Sequence, residues 1–123
     1  LGIVPWRRPS SAYGYAQALD STWDWYRDET GRRRADRDDF GDAVDFIGWY
    51  NYQSTRLAGI STNDPYNLYL AYHEGHGGFR RGTYRSKSWL ARAAREVETD
   101  ARRYDAQIDR CEGRLNRGWI PFL

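Results

Sequence analysis

The sequence is poor in cysteine, lysine and long apolar runs, and each scarcity excludes a class of protein. Cys111 is the single cysteine, so the 123 residues can form neither an internal disulfide nor a multi-cysteine zinc site. No apolar stretch approaches the roughly 18 residues that a transmembrane helix requires, so we predict no membrane span in this chain. Lys87 is the only lysine among 19 basic residues, and 17 acidic residues leave a net charge of +2. A nucleic-acid surface needs clustered, uncompensated positive charge, so we expect no nucleic-acid partner.

Aromatic residues are what the sequence has in excess. It contains ten Tyr, six Trp and four Phe, more than the single core of a 123-residue chain requires. We predict one domain over residues 1–123, because a chain of this length supports one core and not two. Tyr and Trp stack on sugar rings and nucleobases alike, so we expect some of them to line a ligand groove.

One stretch, DPYNLYLAYHEGHGG (residues 64–78), organises the remainder of the chain. Asp64 is a good helix N-cap, and Pro65 suits the first helical position because its missing N–H costs nothing there. From residue 66 to residue 72 nearly every side chain is large or apolar, which is typical of a buried helix. Gly75 is expected to end that helix in a left-handed conformation. The polar groups of His73 and Glu74 would then lie at the end of a buried helix, where they either line a site or simply face water.

Three further helices are predicted around this one. A short helix spans residues 22–30, with Trp23 and Tyr26 on one face, and Gly31 ends it. The next spans about residues 38–58, with an apolar stripe of Phe40, Ala43, Val44, Ile47, Tyr50, Ser54 and Leu57. The longest spans about residues 88–112, with a stripe of Leu90, Ala93, Val97, Ala101, Tyr104, Ile108, Cys111 and Leu115. No alternating pattern of useful length occurs, so we predict an all-α fold with a buried central helix over residues 65–74.

Several kinds of site are disfavoured by the pattern of polar residues. His73 and His76 are three positions apart, but glycines interrupt the helix between them and only Glu74 is nearby as a third ligand, so we predict no metal site. No G-x-S-x-G sequence supports a serine nucleophile, and phosphate-loop and dinucleotide motifs are absent. The arginine-rich segment GRRRADR (residues 31–37) is most simply a solvated loop, with anion binding as its alternative.

Two segments resemble motifs of the lysozyme-like lytic transglycosylases. The segment AYHEGHGG (residues 71–78) is similar to the A-Y-N-x-G-x-G turn of that family, with His73 where Asn is usual. Upstream, SAYGYAQ (residues 11–17), followed by Ser-Thr-Trp at 21–23, resembles the S-x-x-G-x-x-Q motif and the short helix after it. The order and separation of the two motifs also fit, and together they span about two thirds of the chain.

The resemblance implies cleavage of peptidoglycan glycan strands between N-acetylmuramic acid and N-acetylglucosamine. In this family one glutamic acid protonates the glycosidic oxygen and then accepts the proton of the muramyl C6 hydroxyl, which closes a 1,6-anhydro ring. By matching positions, Gln17 and the Gly14 backbone would contact the sugar near the cleaved bond. Tyr72 would hydrogen-bond toward the catalytic carboxylate, while Tyr15 and His73, beside Gly75, would line the cleft.

The family's glutamate precedes the S-x-x-G-x-x-Q motif, and residues 1–10 contain no Asp or Glu. Three explanations follow. The chain is a fragment that lacks the helix bearing the glutamate, it is a catalytically silent relative that only binds glycan, or Glu74 serves as the acid. The third requires a raised pKa at Glu74, which the dipole at a helix C-terminus favours.

The resemblance also sets expectations for partners and location. The partner would be peptidoglycan glycan strands, and the protein would act in the bacterial cell envelope, in the periplasm or at the outer membrane. We expect no cofactor and a monomer. A more distant alternative is an arginine-rich helical protein that binds nucleic acid or another protein.

Overall fold

The computed structural model describes residues 11–114. Within that range the chain forms four α-helices: α1 (Asp20–Thr30), α2 (Phe40–Ala58), α3 (Pro65–Arg81) and α4 (Ser88–Arg114). A short 3₁₀ helix, Thr83–Ser86, joins α3 to α4. An isolated bridge between Tyr13 and Ala18 is the only β pairing that the described residues contain. The predicted all-α class is confirmed.

The chain divides into two compact units, Leu1–Gln53 and Ser54–Leu123. The first unit has an aromatic core in which the rings of Trp23 and Tyr26, on α1, lie 5.2 and 5.4 Å from the ring of Phe46 on α2. Tyr26 is fully buried, and its hydroxyl donates to Asp45 at 2.6 Å. The α1 helix ends as predicted, because Gly31 follows it in the left-handed region at φ 73°.

The predicted apolar stripe of α2 is only partly correct. Ala43, Tyr50 and Ser54 are buried, but Phe40, Val44, Ile47 and Leu57 are exposed. Phe46 and Gln53, which the stripe omitted, are buried instead. The buried face is thus rotated relative to the prediction, because the aromatic side chains of α1 contact the face that carries Phe46.

The second unit packs α4 and the 3₁₀ helix against α3. Its core consists of Leu70, Leu90 and Ala94, surrounded by the partly buried rings of Tyr66, Tyr69, Phe79 and Tyr84. Asp64 caps α3 as predicted, since its Oδ1 accepts from the backbone N–H of Asn67 at 3.1 Å. Within residues 65–74, Leu70 and Ala71 are fully buried and most other side chains are half-buried.

The C-terminal half of α4 does not bury the stripe that its sequence predicts. Leu90 and Ala94 are buried, whereas Tyr104, Ile108 and Cys111 are exposed. Leu115, the last member of that stripe, lies outside the described residues. Periodic apolar spacing therefore correctly predicted a helix here but incorrectly predicted what its final turns contact.

Candidate functional site

The first motif folds into a tight turn around Gly14. The backbone of Gly14 has φ 79°, a conformation that side chains disfavour, and a Cβ built there would overlap the carbonyl group of Arg37. The adjacent N–H of Tyr15 donates to that carbonyl oxygen at 3.2 Å. The backbone of Arg37 thus approaches Gly14 closely and fixes the turn against the loop that precedes α2.

Gln17 closes the same turn with both of its nitrogens. Its backbone N–H and its side-chain Nε2 donate to the carbonyl oxygen of Gly14 at 3.2 and 2.8 Å. Its own φ of 52° is the only positive value at a non-glycine residue in the described chain. Nε2 uses one of its two N–H groups in this bond, so the side-chain carbonyl oxygen and the second N–H of this exposed amide remain for a ligand.

Tyr15 presents an exposed ring beside the turn. Tyr15 is 67% exposed and Phe40 is 66% exposed. The two rings meet edge to face, with their centres 5.6 Å apart. Exposed aromatic pairs of this kind offer apolar faces to a ligand. Sequence reasoning placed Phe40 in the apolar stripe of a helix and so missed it as a surface ring.

Arg37 holds the turn together and was not singled out from the sequence. Its Nη1 lies 3.2 and 3.0 Å from the carbonyl oxygens of Ser11 and Ala18, and 2.7 Å from Oδ1 of Asp20. Its guanidinium also lies over the ring of Tyr13, 5.0 Å from the ring centre. Arg37 is the last residue of the arginine-rich segment, and the solvated-loop interpretation fails for it because its Nη1 donates to backbone carbonyls and its side chain is only 19% exposed.

The second motif lies where α3 is interrupted. Gly75 has φ 77° and ψ 162°, a region that is essentially restricted to glycine. The helix predicted for residues 65–74 therefore ends where expected, but helical structure resumes immediately and continues to Arg81. Residues 76–78, which the resemblance places in a turn, are helical instead. Tyr72 is half-buried in the last turn before this break, and His73 and Glu74 adjoin it.

Glu74 is a buried, ion-paired carboxylate. Its side chain is only 3% exposed, and both carboxylate oxygens accept from Nζ of Lys87 at 2.9 and 2.8 Å. The Oγ1 of Thr83 donates to Oε1 at 2.6 Å, and Nδ1 of His73 lies 2.8 Å from Oε2. Burial alone would raise the pKa of Glu74, but these hydrogen bonds and the charge of Lys87 outweigh it and lower the pKa from 4.5 to about 2.

The expectation of a raised pKa at Glu74 is therefore wrong. The helix dipole that motivated it is a weak effect of the last turn. It is overcome by an ammonium group and a hydroxyl contributed from beyond the helix, by Lys87 and Thr83. Glu74 is ionised at neutral pH and has no proton to donate.

His73 projects from this cluster toward solvent with a fixed ring. Its side chain is 39% exposed, and because a carboxylate only accepts, Nδ1–H donates to Glu74. The imidazole meets the indole of Trp89 edge to face, with ring centres 5.2 Å apart. Trp89 itself is 51% exposed at the start of α4.

Lys87, Thr83 and Trp89 were not predicted as site residues. The one available signal was that Lys87 is the only lysine in a chain that otherwise uses arginine for positive charge. A compact ammonium can place several donors on one carboxylate, which suits the small space beside Glu74. Nothing in the local sequence marked Thr83 or Trp89.

His76 does not join His73. It follows Gly75, and its Nε2 lies 2.8 Å from Oγ of Ser54, a fully buried residue of α2. Burial and the nearby charge of Arg80 lower the pKa of His76 below 6.5, so the ring is neutral near pH 7. Ser54, predicted as part of the apolar stripe of α2, contacts His76 inside the second unit. Among the side chains that the structure describes, those of residues 11–111, no three His, Cys, Asp or Glu converge as metal ligands would.

Comparison with known proteins identifies the family. The family model described as a transglycosylase SLT domain matches residues 1–111, so the chain belongs to that family. The all-α architecture agrees with the lysozyme-like domain that the two motifs predict. Searches of curated proteins and of solved structures found no match. None of the helices in the described part of the chain has the length and apolar character needed to cross a membrane.

Proposed function

We propose that this chain is the glycan-cleaving domain of a peptidoglycan lytic transglycosylase. The reaction would break the bond between N-acetylmuramic acid and N-acetylglucosamine. The C6 hydroxyl oxygen would attack C1 of the same muramyl residue, the glycosidic oxygen would leave with a proton from a general acid, and the hydroxyl proton would pass to that group's conjugate base. No water is consumed, and a 1,6-anhydro sugar results. The match of the transglycosylase SLT domain over residues 1–111 carries this proposal.

The geometry of each motif supports a saccharide as the ligand. In the first unit, the turn at Gly14 leaves the Gln17 amide oxygen and the exposed Tyr15 ring accessible. In the second, His73 is exposed and held by Glu74, while Tyr72 lies on the same turn of α3. Sugars are bound by this combination of aromatic faces and fixed polar groups. We accordingly assign substrate binding to Gly14, Gln17, Tyr15 and His73, with Gly75 shaping the backbone beside His73.

Glu74 is a poor candidate for the general acid. A catalytic acid works best when its pKa lies near the operating pH, and the Glu74 pKa of about 2 is far below neutrality. Both of its oxygens are also occupied by Lys87, Thr83 and His73. We therefore propose that Glu74 positions His73 and that the family's glutamate, which residues 1–10 do not contain, is the group needed for cleavage.

The ion pair of Glu74 favours a second candidate function, because it keeps this carboxylate from acting as an acid. A catalytically silent module that binds peptidoglycan glycan strands requires no titrating acid and agrees equally well with the exposed rings. Both candidates share peptidoglycan as the partner and imply the bacterial envelope as the site of action. They differ only in whether a product is formed.

Purified sacculi provide the experiment that tests both. We expect the 123-residue chain to be retained by sacculi and to release no 1,6-anhydromuropeptides. If the natural protein extends upstream and supplies a glutamate before Leu1, the extended chain should release them. Failure of that extended chain to form anhydro products, with retention intact, would favour the binding module. A chain that sacculi do not retain would refute both candidates.

Glu74→Gln is the decisive variant for the acid. If the 123-residue chain releases anhydro products and Glu74→Gln abolishes them with the fold intact, Glu74 is the acid and our assignment fails. Circular dichroism and thermal unfolding would establish that the variant is folded. The amide keeps the shape of the side chain but cannot pair with Lys87 as a charge, so some loss of stability is expected in either case.

A further inference from the structure

Trp89 is a large exposed side chain in a fixed environment. Half of its surface is open, yet its indole is held on one side by the imidazole of His73 at 5.2 Å. Tyr104, on the same helix, is 59% exposed. Single exposed aromatic residues are common and need no explanation. Trp89 differs from such residues because its indole contacts the imidazole of His73, whose orientation is fixed by Glu74.

The fixed orientation of His73 arises from three successive contacts. Lys87 donates to both oxygens of Glu74 at 2.9 and 2.8 Å, and Thr83 donates to Oε1 at 2.6 Å. The carboxylate in turn holds Nδ1 of His73 at 2.8 Å. Because Nδ1 faces the carboxylate, Nε2 is the ring nitrogen that remains for a ligand. A buried charge is costly unless it is paired in this way, so the cluster stabilises one defined pose of an exposed imidazole.

We propose that Trp89 and His73 form a saccharide subsite for an N-acetylated amino sugar of the glycan strand. The indole would pack against the apolar face of the pyranose ring, and Nε2 of His73 would form a hydrogen bond with a hydroxyl or with the acetamido group. The proposal rests on peptidoglycan being the ligand and adds Trp89 as a specificity-determining residue. Lys87 and Thr83 act as positioning residues through Glu74.

The surroundings favour a sugar over a nucleobase, which would stack on indole equally well. A nucleotide also requires a cation for its phosphate. Lys87, the cation of this cluster, is committed to Glu74 through two short contacts. An uncharged sugar ring with several hydroxyl groups needs no such cation, and it matches a surface that offers one aromatic face and one polar ring nitrogen.

The test is a titration of the 123-residue chain with N-acetylchitotetraose. Binding is measured by isothermal titration calorimetry and by the indole N–H signals in NMR spectra. Trp89→Ala should weaken binding by about tenfold, the size expected for the loss of one stacking contact. Trp89→Phe should retain most of the affinity, because a smaller aromatic face remains. His73→Ala should weaken binding less than Trp89→Ala does. Tyr104→Ala is the matched control on the same helix and should leave the affinity unchanged.

Two results would overturn the subsite. One is a Trp89→Ala variant that is folded and binds the tetrasaccharide as tightly as the parent. The other is a parent chain that sacculi retain but that does not bind the tetrasaccharide. In both cases peptidoglycan binding itself would stand, so failure of the subsite is distinguishable from failure of the proposed function. Lys87→Met adds a readout of positioning: we expect a several-fold loss of affinity and a shift of the His73 ring signals, and neither should occur in Tyr104→Ala.

Discussion

Replacing Lys87 with Met should destabilise the protein, because it removes the cation that neutralises a buried carboxylate. Glu74 is 3% exposed and would retain only Thr83 and His73 as partners. Met has a length similar to that of Lys, so the apolar part of the side chain is preserved while the charge is lost. The variant therefore isolates the electrostatic contribution of the pair.

The size of the effect follows from the pKa of Glu74, which falls from 4.5 to about 2 on folding. At about 1.4 kcal/mol for each pKa unit, this net shift corresponds to roughly 3 kcal/mol of stability at neutral pH, which remains after the opposing desolvation of the carboxylate is included. Lys87 is 36% exposed, so solvent screening reduces its own share, and we expect Lys87→Met to cost about 1–2 kcal/mol at pH 7. Because the folded-state pKa is depressed, this stabilisation is complete above pH 4.5 and is lost as the pH falls toward 2.

Urea denaturation at pH 7 and at several values between 5 and 2.5 measures both effects. The parent should lose stability more steeply than Lys87→Met as the pH decreases through this window, so the two curves should converge. Arg102→Met is the matched control, since Arg102 makes an exposed pair with Glu98 at 3.6 Å on the same helix and should contribute less than about 0.5 kcal/mol. Equal unfolding free energies for the parent and Lys87→Met at pH 7 would refute the argument.

Three further perturbations test the fold. Gly14→Ala should lower the free energy of unfolding by more than about 2 kcal/mol in urea denaturation, because the added Cβ would overlap the Arg37 carbonyl at a position of positive φ. The control is Gly31→Ala, which should cost only about 1 kcal/mol because Gly31 has φ 73° but no atoms within 4 Å of the added Cβ. Equal costs for the two variants would contradict the close approach at Gly14. Leu70→Ala should cost about 2–5 kcal/mol, since Leu70 is fully buried, and an unchanged thermal midpoint would count against that burial. The contribution of His76 to stability should be constant above pH 6.5 and should decline below it, because its pKa is lowered in the folded state and the ring must be protonated as the pH falls. His76→Gln should flatten this decline. An unaltered pH profile in the variant would show that other groups cause the decline.

The helices were predictable because their ends carry local signals. Asp64 and Pro65 define the start of α3, and Gly31 ends α1 in the left-handed conformation that its sequence position implies. In each case the physical cause lies within a few residues of the feature, so the sequence alone contains it.

The features that sequence reasoning missed depend on residues far apart in the chain. The pKa of Glu74 was predicted from its own helix, but Lys87, thirteen residues away, determines it. The buried face of α2 was assigned from spacing, although the rings of α1 decide that Phe46 is buried and Val44 is exposed. Apolar periodicity indicates which helix faces could be buried. The tertiary fold determines which of those faces are buried.

The glycines of the H-E-G-x-G-G segment can be understood as requirements of the Glu74 cluster. Gly75 adopts a backbone conformation essentially restricted to glycine, which interrupts α3 directly after the carboxylate. Gly78 leaves room for Thr83, since a Cβ at Gly78 would lie 3.0 Å from Oγ1 of Thr83 and 3.3 Å from Cβ of Glu74. That hydroxyl donates to Glu74 at 2.6 Å, so both glycines serve the same buried carboxylate. A segment shaped to keep a carboxylate ionised and attached to His73 is suited to orienting a ligand contact, so the cleavage that we propose requires a separate group to supply the proton.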